Sequence, residues 1–404
     1  MIKTILKTCL IVIISLFITS TMCISVTMKC VGGWIDINSY RDPRDKNTKL
    51  QHLFPCLDKQ DNPKKVMVLQ KNGNGSNSEQ TVCIYTIKDL MKGCLHESQP
   101  DFIHPQSKSP AANNPAFYSG YKDTPFCFQQ GLYFLVQDTK KQWAIYHPNR
   151  KNKPDYHGAI KPWFFQKYKN SLIYSRGKEI VCLNNVLDKI QFEILSFDMP
   201  DSNNKLICYY NEHHNPDIVL IRKSKENHTI QTAASELYPK FSTNKDYFAY
   251  FRKRNPDDIW DIIVCQTQSP NAITIIENVR KYDMPVKTAF LYSDSFQWMD
   301  NRLYYMKHEF PSTIFEFNPA NSKKKRIIKL TGNSFEADVE FGVYKKKKRH
   351  VELTVELIST NWFQVAKKNG QLMFVVECLI QTRSSNSNSA NKFEHQVRRM
   401  LIFQ

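Results

Sequence analysis

The sequence predicts an all-β chain folded as a β-propeller of six four-stranded blades, with five to seven compatible, preceded by an N-terminal β-rich extension. Three observations carry this. Aromatic residues are abundant, with 25 Phe and 19 Tyr against only 12 Gly in 404 residues, and such side chains fit a half-buried pleated surface. Six segments share a polar or Gly residue followed by an apolar and aromatic run. A second strand-like run follows each of them. A four-stranded antiparallel sheet cannot bury both faces alone, and radial stacking of several does so.

The six runs are QGLYFL from Gln130, NSLIYS from Asn170, NKLICYY from Asn204, KDYFAYF from Lys245, NRLYYM from Asn301 and GQLMFV from Gly370. Aligned on Leu132, Leu172, Leu206, Tyr247, Leu303 and Leu372, they are spaced by 40, 34, 41, 56 and 69 residues. The later spacings require loop insertions. The second runs are QWAIYH, EIVCLN, DIVLIRK, DIWDIIV and TIFEFN. For the sixth copy the partner is RRMLIF, reached through SSNSNSAN, a polar tract that reads as a surface loop. An aromatic residue precedes most copies: Phe126, Trp163, Phe241, Phe296 with Trp298, and Trp362. A fourth run is visible in one copy as AITIIEN.

One copy carries a nameable likeness. YPKFSTNKDYFAYFRKRNPDDIWDII resembles a blade of the TolB-like, WD40-like (PD40-type repeat) propeller family, whose repeat reads Pro, any residue, Trp, Ser, Pro, Asp, Gly, an apolar strand, an Arg-containing turn and Asp-Ile-Tyr. Pro239 and Ser242 match, Phe241 stands for the Trp, Asn244 for the Asp and Lys245 for the Gly. Arg254 is the turn arginine and Asp258, Ile259 and Trp260 form the closing triplet, with Asp261-Ile262-Ile263 as a shifted alternative. The resemblance spans about residues 120 to 404. It implies a fold and a structural role for these residues, not an activity.

Residues 1–25 read as a signal peptide. MIKTILK carries two lysines, CLIVIISLFI is an apolar run, and TSTMCIS offers small residues for cleavage near Ser25, with Ser20 or Thr21 also fitting. The expected location is extracellular or periplasmic. Residues 26–118 hold KKVMVLQ and TVCIYTI joined by KNGNGSNSEQ, a hairpin pattern that supplies a closing strand, an additional blade or a small separate domain. SQPDFIHPQSKSPAANNPAF then reads as an extended linker into a propeller over residues 119–404.

Of 11 cysteines, nine lie beyond Cys9 and Cys23, and no CxxC spacing occurs. Export predicts disulfides, with Cys83 and Cys94 the most local pair and one thiol left over. Neither a metal nor a cofactor is expected. Asp257, Asp258 and Asp261 crowd five residues without EF-hand spacing, so they read as blade architecture rather than a Ca²⁺ site. No Gly-x-Ser-x-Gly elbow is present for a serine hydrolase. His213 and His214 are adjacent, and successive residues of a strand face opposite ways.

Net charge is +18, or +16 without Lys3 and Lys7, which favours anionic partners such as glycans, lipid headgroups or other polymers. Two runs concentrate it: NSKKKRIIKL, with Lys323, Lys324, Lys325 and Arg326, and YKKKKRHVEL, with Lys345, Lys346, Lys347, Lys348 and Arg349. The second joins VEFGVY to VELTVELI, whose alternation marks half-buried strands meeting at a crowded basic turn. The two runs are expected on one rim. Two glycosylation sequons, at Asn74 and Asn227, fall in expected loops. The reading is an exported, non-catalytic scaffold that binds protein or polyanions through its basic rim. The competing class is a glycosidase-like hydrolase with carboxylates converging in the central channel.

Overall fold

The computed structural model describes residues 24–34, 48–57, 63–72, 79–86, 102–105, 124–128, 131–137, 141–146, 156–168, 171–182, 185–223, 225–230, 232, 234–254, 259–280, 296–307, 309–310, 312–321, 325–331, 334–341, 347–384 and 394–404. Apart from a 3-10 turn at Pro319–Asn321, every regular element among them is a β-strand. The fold is a β-propeller.

After β1 (Ile24–Trp34), the strands come in successive antiparallel meanders of four. The first is β2 (Thr48–Leu57), β3 (Pro63–Asn72), β4 (Glu79–Thr86) and β5 (Phe102–Pro105). The next is β6 (Thr124–Phe128), β7 (Gly131–Gln137), β8 (Trp143–Tyr146) and β9 (Tyr156–Gly158). Then come β10 (Trp163–Tyr168), β11 (Ser171–Arg176), β12 (Glu179–Cys182) and β13 (Asn185–Lys189). They are followed by β14 (Ile194–Asp198), β15 (Asn204–Tyr210), β16 (Pro216–Arg222) and β17 (Lys225–Ile230). The blade that carries YPKFSTNKDYFAYF is β18 (Glu236–Phe241), β19 (Tyr247–Arg254), β20 (Ile259–Gln266) and β21 (Ile273–Arg280).

The last two meanders are β22 (Phe296–Met299), β23 (Arg302–Met306), β24 (Thr313–Phe317) and β25 (Lys325–Thr331), then β26 (Ser334–Phe341), β27 (Lys347–Lys368), β28 (Gln371–Ser384) and β29 (Glu394–Phe403). They are joined into one nine-stranded sheet by β1. Ile24 to Lys29 pair parallel with Arg326 to Thr331 of β25, and after a bulge at Cys30/Gly32 the strand turns to antiparallel pairing with Phe403 to Met400 of β29. Lys29 and Gln404 exchange backbone hydrogen bonds of 3.3 and 3.1 Å at the crossover. A single N-terminal strand thus caps the outer edges of two blades.

The six aligned positions of the sequence fall on β7, β11, β15, β19, β23 and β28, each the strand before its second run, which forms β8, β12, β16, β20, β24 or β29. The N-terminal hairpin is β3–β4, completed to four strands by β2 and β5. Part of the expected linker, Phe102 to Pro105, is therefore β5 rather than connecting chain. Asn227 lies within β17 and not in a loop.

Why the strands read as continuous apolar runs is visible in their burial. β11, β14, β15 and β20 are buried over at least four consecutive residues, because blades cover both faces of their neighbours. Phe164 of β10 meets Phe197 of β14 at 5.5 Å and Tyr238 of β18 at 6.2 Å between ring centroids. Phe251 meets Phe296 at 4.9 Å across the next boundary, and Tyr304 meets Phe374 at 5.7 Å across the last. Full burial of such a ring contributes on the order of 2 kcal/mol.

Polar side chains tie the same boundaries. Gln166 of β10 donates to Asp198 of β14 and accepts the Met199 N–H at 3.3 Å. Trp298 of β22 donates its indole N–H to the Lys240 carbonyl of β18 at 3.1 Å. Gln297 of β22 donates to the Phe363 carbonyl of β27 at 2.5 Å and accepts the Val365 N–H at 3.0 Å.

The cysteine expectation is corrected. Cys182, Cys208 and Cys265 are free thiols, the last two buried among blade strands, so more than one thiol is left over. Burial pushes the Cys265 thiol up to about 12, which makes it a packing group rather than a reactive one. The expected Cys83–Cys94 pair lies outside the described side chains.

Candidate functional site

The aspartate-rich blade resolves into architecture. Ser242 is buried at its turn, accepting the Lys245 N–H through its carbonyl at 2.9 Å and the Tyr247 N–H through its hydroxyl at 3.0 Å. Its hydroxyl donates to Asn244 Oδ1 at 2.9 Å, and that oxygen also accepts the Asp246 N–H at 3.1 Å. Lys245 has φ 66°, the left-handed conformation that the motif's Gly would take. Its ammonium pairs with Asp201 of the preceding blade at 2.5 Å, and that contact, with hydrogen bonds from Asn203 and Asn204, holds the Asp201 carboxyl down at about 2 against the pull of partial burial.

Pro239, Phe241 and Trp260 are buried and Ile259 is half-buried. Arg254 reaches Asp261 through Nη2 at 2.8 Å to both carboxylate oxygens and through Nε at 3.2 Å. Asp261 also accepts the Asn278 N–H at 2.9 Å, where β21 bulges. Asp261, which begins the shifted triplet, thus meets the turn arginine. Asp257 and Asp258 lie outside the described residues.

A second set of acids is buried between β14–β17 and β18–β21. Glu236 opens β18 with no exposed side-chain surface, bonded to the Thr232 hydroxyl and to Arg252 Nε at 3.3 Å. Asp217 of β16 is equally buried and accepts from Asn211 at 2.9 Å. One oxygen of each, Asp217 Oδ1 and Glu236 Oε2, has no hydrogen-bond partner. Burial raises both carboxyls, Glu236 to about 7, where the negative charge of Asp217 adds to the rise. These acids lie inside a blade boundary, and Asp261 is consumed by Arg254. Among the described residues no group of three or more His, Cys, Asp or Glu is arranged to hold a metal.

The basic runs are separated. Lys325 and Arg326 open β25, with Arg326 level with Ile24, the first residue of β1. β1, β29, β28 and β27 then alternate in direction, so Lys347, Lys348 and Arg349 stand at the opposite end of the composite sheet, across from Phe341, Glu340 and Val339. The expected single rim is therefore two ends of one sheet. Lys323, Lys324, Lys345 and Lys346 lie outside the described residues.

Arg326 has a geometry the sequence did not disclose. Tyr304, Glu316 and Arg326 stand directly opposite one another on β23, β24 and β25. The Glu316 side chain is 6% exposed and pairs with Arg302 Nη1 and, at 3.6 Å, with Arg326 Nη1. Tyr304 contacts the same carboxylate, and burial followed by that negative charge pushes its phenol well above the ordinary range. The only sequence signal was a glutamate inside the apolar run TIFEF.

No family model matches the chain, and no curated protein does. Solved structures align with it at low identity. KlHsv2 with loop 6CD replaced by a Gly-Ser linker is 13% identical, with 87% of this chain and 99% of that chain covered and a TM-score of 0.43. KlAtg21, in complex with the coiled-coil of AgAtg16, is 12% identical over 87% of this chain and 98% of that chain, with a TM-score of 0.44. A putative TolB from Agrobacterium tumefaciens is 8% identical over 61% and 86% of the two chains, with a TM-score of 0.32. At these scores none carries an argument about activity or partner, and the propeller assignment rests on the sheets themselves. No helix among the described residues is long and apolar enough to cross a membrane.

Proposed function

We propose that this protein is an exported, non-catalytic β-propeller scaffold that binds a protein or an anionic polymer, glycan or lipid headgroup through basic strand ends. The observation that carries the reading is the concentration of a +18 chain into two basic runs on strands that begin at opposite ends of the last composite sheet. Like charges crowded at a strand end repel, and an anionic partner relieves the repulsion. The described acids support the non-catalytic part, since those that are buried serve blade boundaries and ion pairs.

Export rests on the basic, apolar and small-residue order of the first 25 residues. Because β1 already includes Ile24 and Ser25, cleavage at Ser20 or Thr21 leaves its pairing with β25 intact. N-terminal sequencing of the mature protein tests this; an uncleaved Met1 end would overturn the processing.

The binding reading is tested by changing Lys345, Lys346, Lys347 and Lys348 to Ser and measuring retention on heparin and on vesicles containing an acidic lipid across a salt series. Weaker binding with a shallower salt dependence is expected. Unchanged affinity and slope would reduce this hairpin to a solvated turn.

A further inference from the structure

We propose that Arg302 and Arg326, braced by the buried carboxylate of Glu316, form a seat for a tetrahedral oxyanion of the phosphate- or sulfate-monoester class. The inference rests on the anion-binding reading for Arg326 and adds a residue, Arg302, that lies outside both basic runs. Glu316 is almost covered at 6% side-chain exposure, whereas Arg302 and Arg326 keep 46% and 38% of theirs. One carboxylate neutralises one guanidinium, so a positive charge remains at the surface. Each guanidinium carries five N–H donors in a planar fork, more than two carboxylate oxygens can satisfy.

The carboxylate is also a positioning device. It lies opposite Tyr304 on the neighbouring strand, hydrogen-bonds Arg302 through one oxygen and stands 3.6 Å from Arg326 through the other, which has no hydrogen-bond partner, so both long side chains are drawn to one point before a ligand arrives. The surroundings favour an anion. Arg302 begins β23 directly after the Asp300–Asn301 turn, Lys325 and Arg326 begin β25, and Lys367 and Lys368 end β27. An ion pair between Lys367 and Asp300 brings the end of β27 to the turn before Arg302. Among the described side chains, Arg302, Arg326 and Lys367 therefore stand at these strand ends, with Asp300 paired to Lys367 and Glu316 buried. Paired guanidinium forks match the oxygens of a phosphate or sulfate group better than a point charge does.

The test uses the full chain with two probes: heparin, for sulfate esters, and phosphatidylcholine vesicles containing phosphatidic acid, for phosphate monoesters. The probe that binds identifies the source of the oxyanion. Arg302→Gln and Arg326→Gln are each expected to weaken binding by about tenfold, the loss typical of a charge-assisted contact. Arg302→Lys, which keeps the charge and its pairing with Glu316, is expected to bind more weakly than the parent because the fork is lost. Glu316→Gln makes the surface more positive yet is expected to weaken binding, because the brace is lost.

If Glu316→Gln tightens binding, or Arg302→Gln and Arg302→Lys bind as the parent does, the seat is refuted and any affinity is diffuse charge. A parent chain that binds neither probe removes the anion-binding reading itself. Loss in the Lys345–Lys348 variant with no loss at Arg302 locates binding at the opposite end and also refutes the seat.

Discussion

The carboxylate of Asp198 on β14 accepts the backbone N–H of Phe241 on β18 at 2.6 Å, so one side chain joins two successive blades. The other oxygen takes the Gln166 amide from the blade before. Burial raises the Asp198 pKa even though these donors and Lys240 pull the other way. Asp198→Asn places an amide NH₂ against one of two donors. The expected cost is about 1–3 kcal/mol, read as a lower urea midpoint. An unchanged midpoint would show that the boundary is held by its aromatic rings alone.

Lys245 occupies the left-handed region at φ 66° where the repeat family places Gly. Both Lys245→Gly and Lys245→Ala remove the half-exposed pair with Asp201, worth at most about 1 kcal/mol. Only the Gly variant also relieves the backbone. Gly at 245 is therefore expected to be more stable than Ala at 245 by about 1 kcal/mol. Equal melting temperatures for the two variants would contradict the turn geometry.

The pH dependence of stability has a definite sign at Glu236. Its folded pKa, about 7, is above the ordinary 4.5, so the folded chain holds a proton that the unfolded chain releases. The contribution is fully present below about 4.5 and is lost as pH rises through about 7. It amounts to at most roughly 3 kcal/mol. Glu236→Gln, a permanent mimic of the protonated acid, is expected to flatten the stability profile over this window. A variant that retains the parent's slope would assign the effect elsewhere.

β1 is expected to act as a clasp. A chain lacking residues 24–34 exposes the edges of both β25 and β29, and it should melt at a lower temperature and self-associate through the freed strands. Supplying the peptide ISVTMKCVGGW in trans should raise the melting temperature again. A truncated chain that melts with the parent would show that the two blades hold without it.

Much of the fold was legible because each blade repeats the same burial. Five of the six aligned positions found the second strand of their blade, whereas Leu372 fell on β28, the third of its blade, and the turn before β19 formed around Ser242, Asn244 and Lys245 as the repeat pattern implied. Asp258-Ile259-Trp260 and Asp261-Ile262-Ile263 share one polarity pattern, so the sequence left both open as the closing triplet. Of the two, the described residues show Asp261 held by the Arg254 fork. The single basic rim failed for a different reason: closeness in sequence says nothing about strand direction once β1 and β29 intervene. Arg302 and Glu316 were hidden because neither belongs to a basic run, and their meeting depends on the register between β23 and β24.

The crossover of β1 also sets an order of events. The hydroxyl of Thr331 donates to the Met28 carbonyl across 303 residues of chain, and Lys29 meets Gln404, just beyond β29. The strand synthesised first must wait, unpaired, until those synthesised last have emerged. Contacts of such separation are slow to form, and a waiting apolar strand is exposed to wrong partners. Biogenesis of this ring therefore depends on keeping eleven early residues out of trouble until its final blade exists.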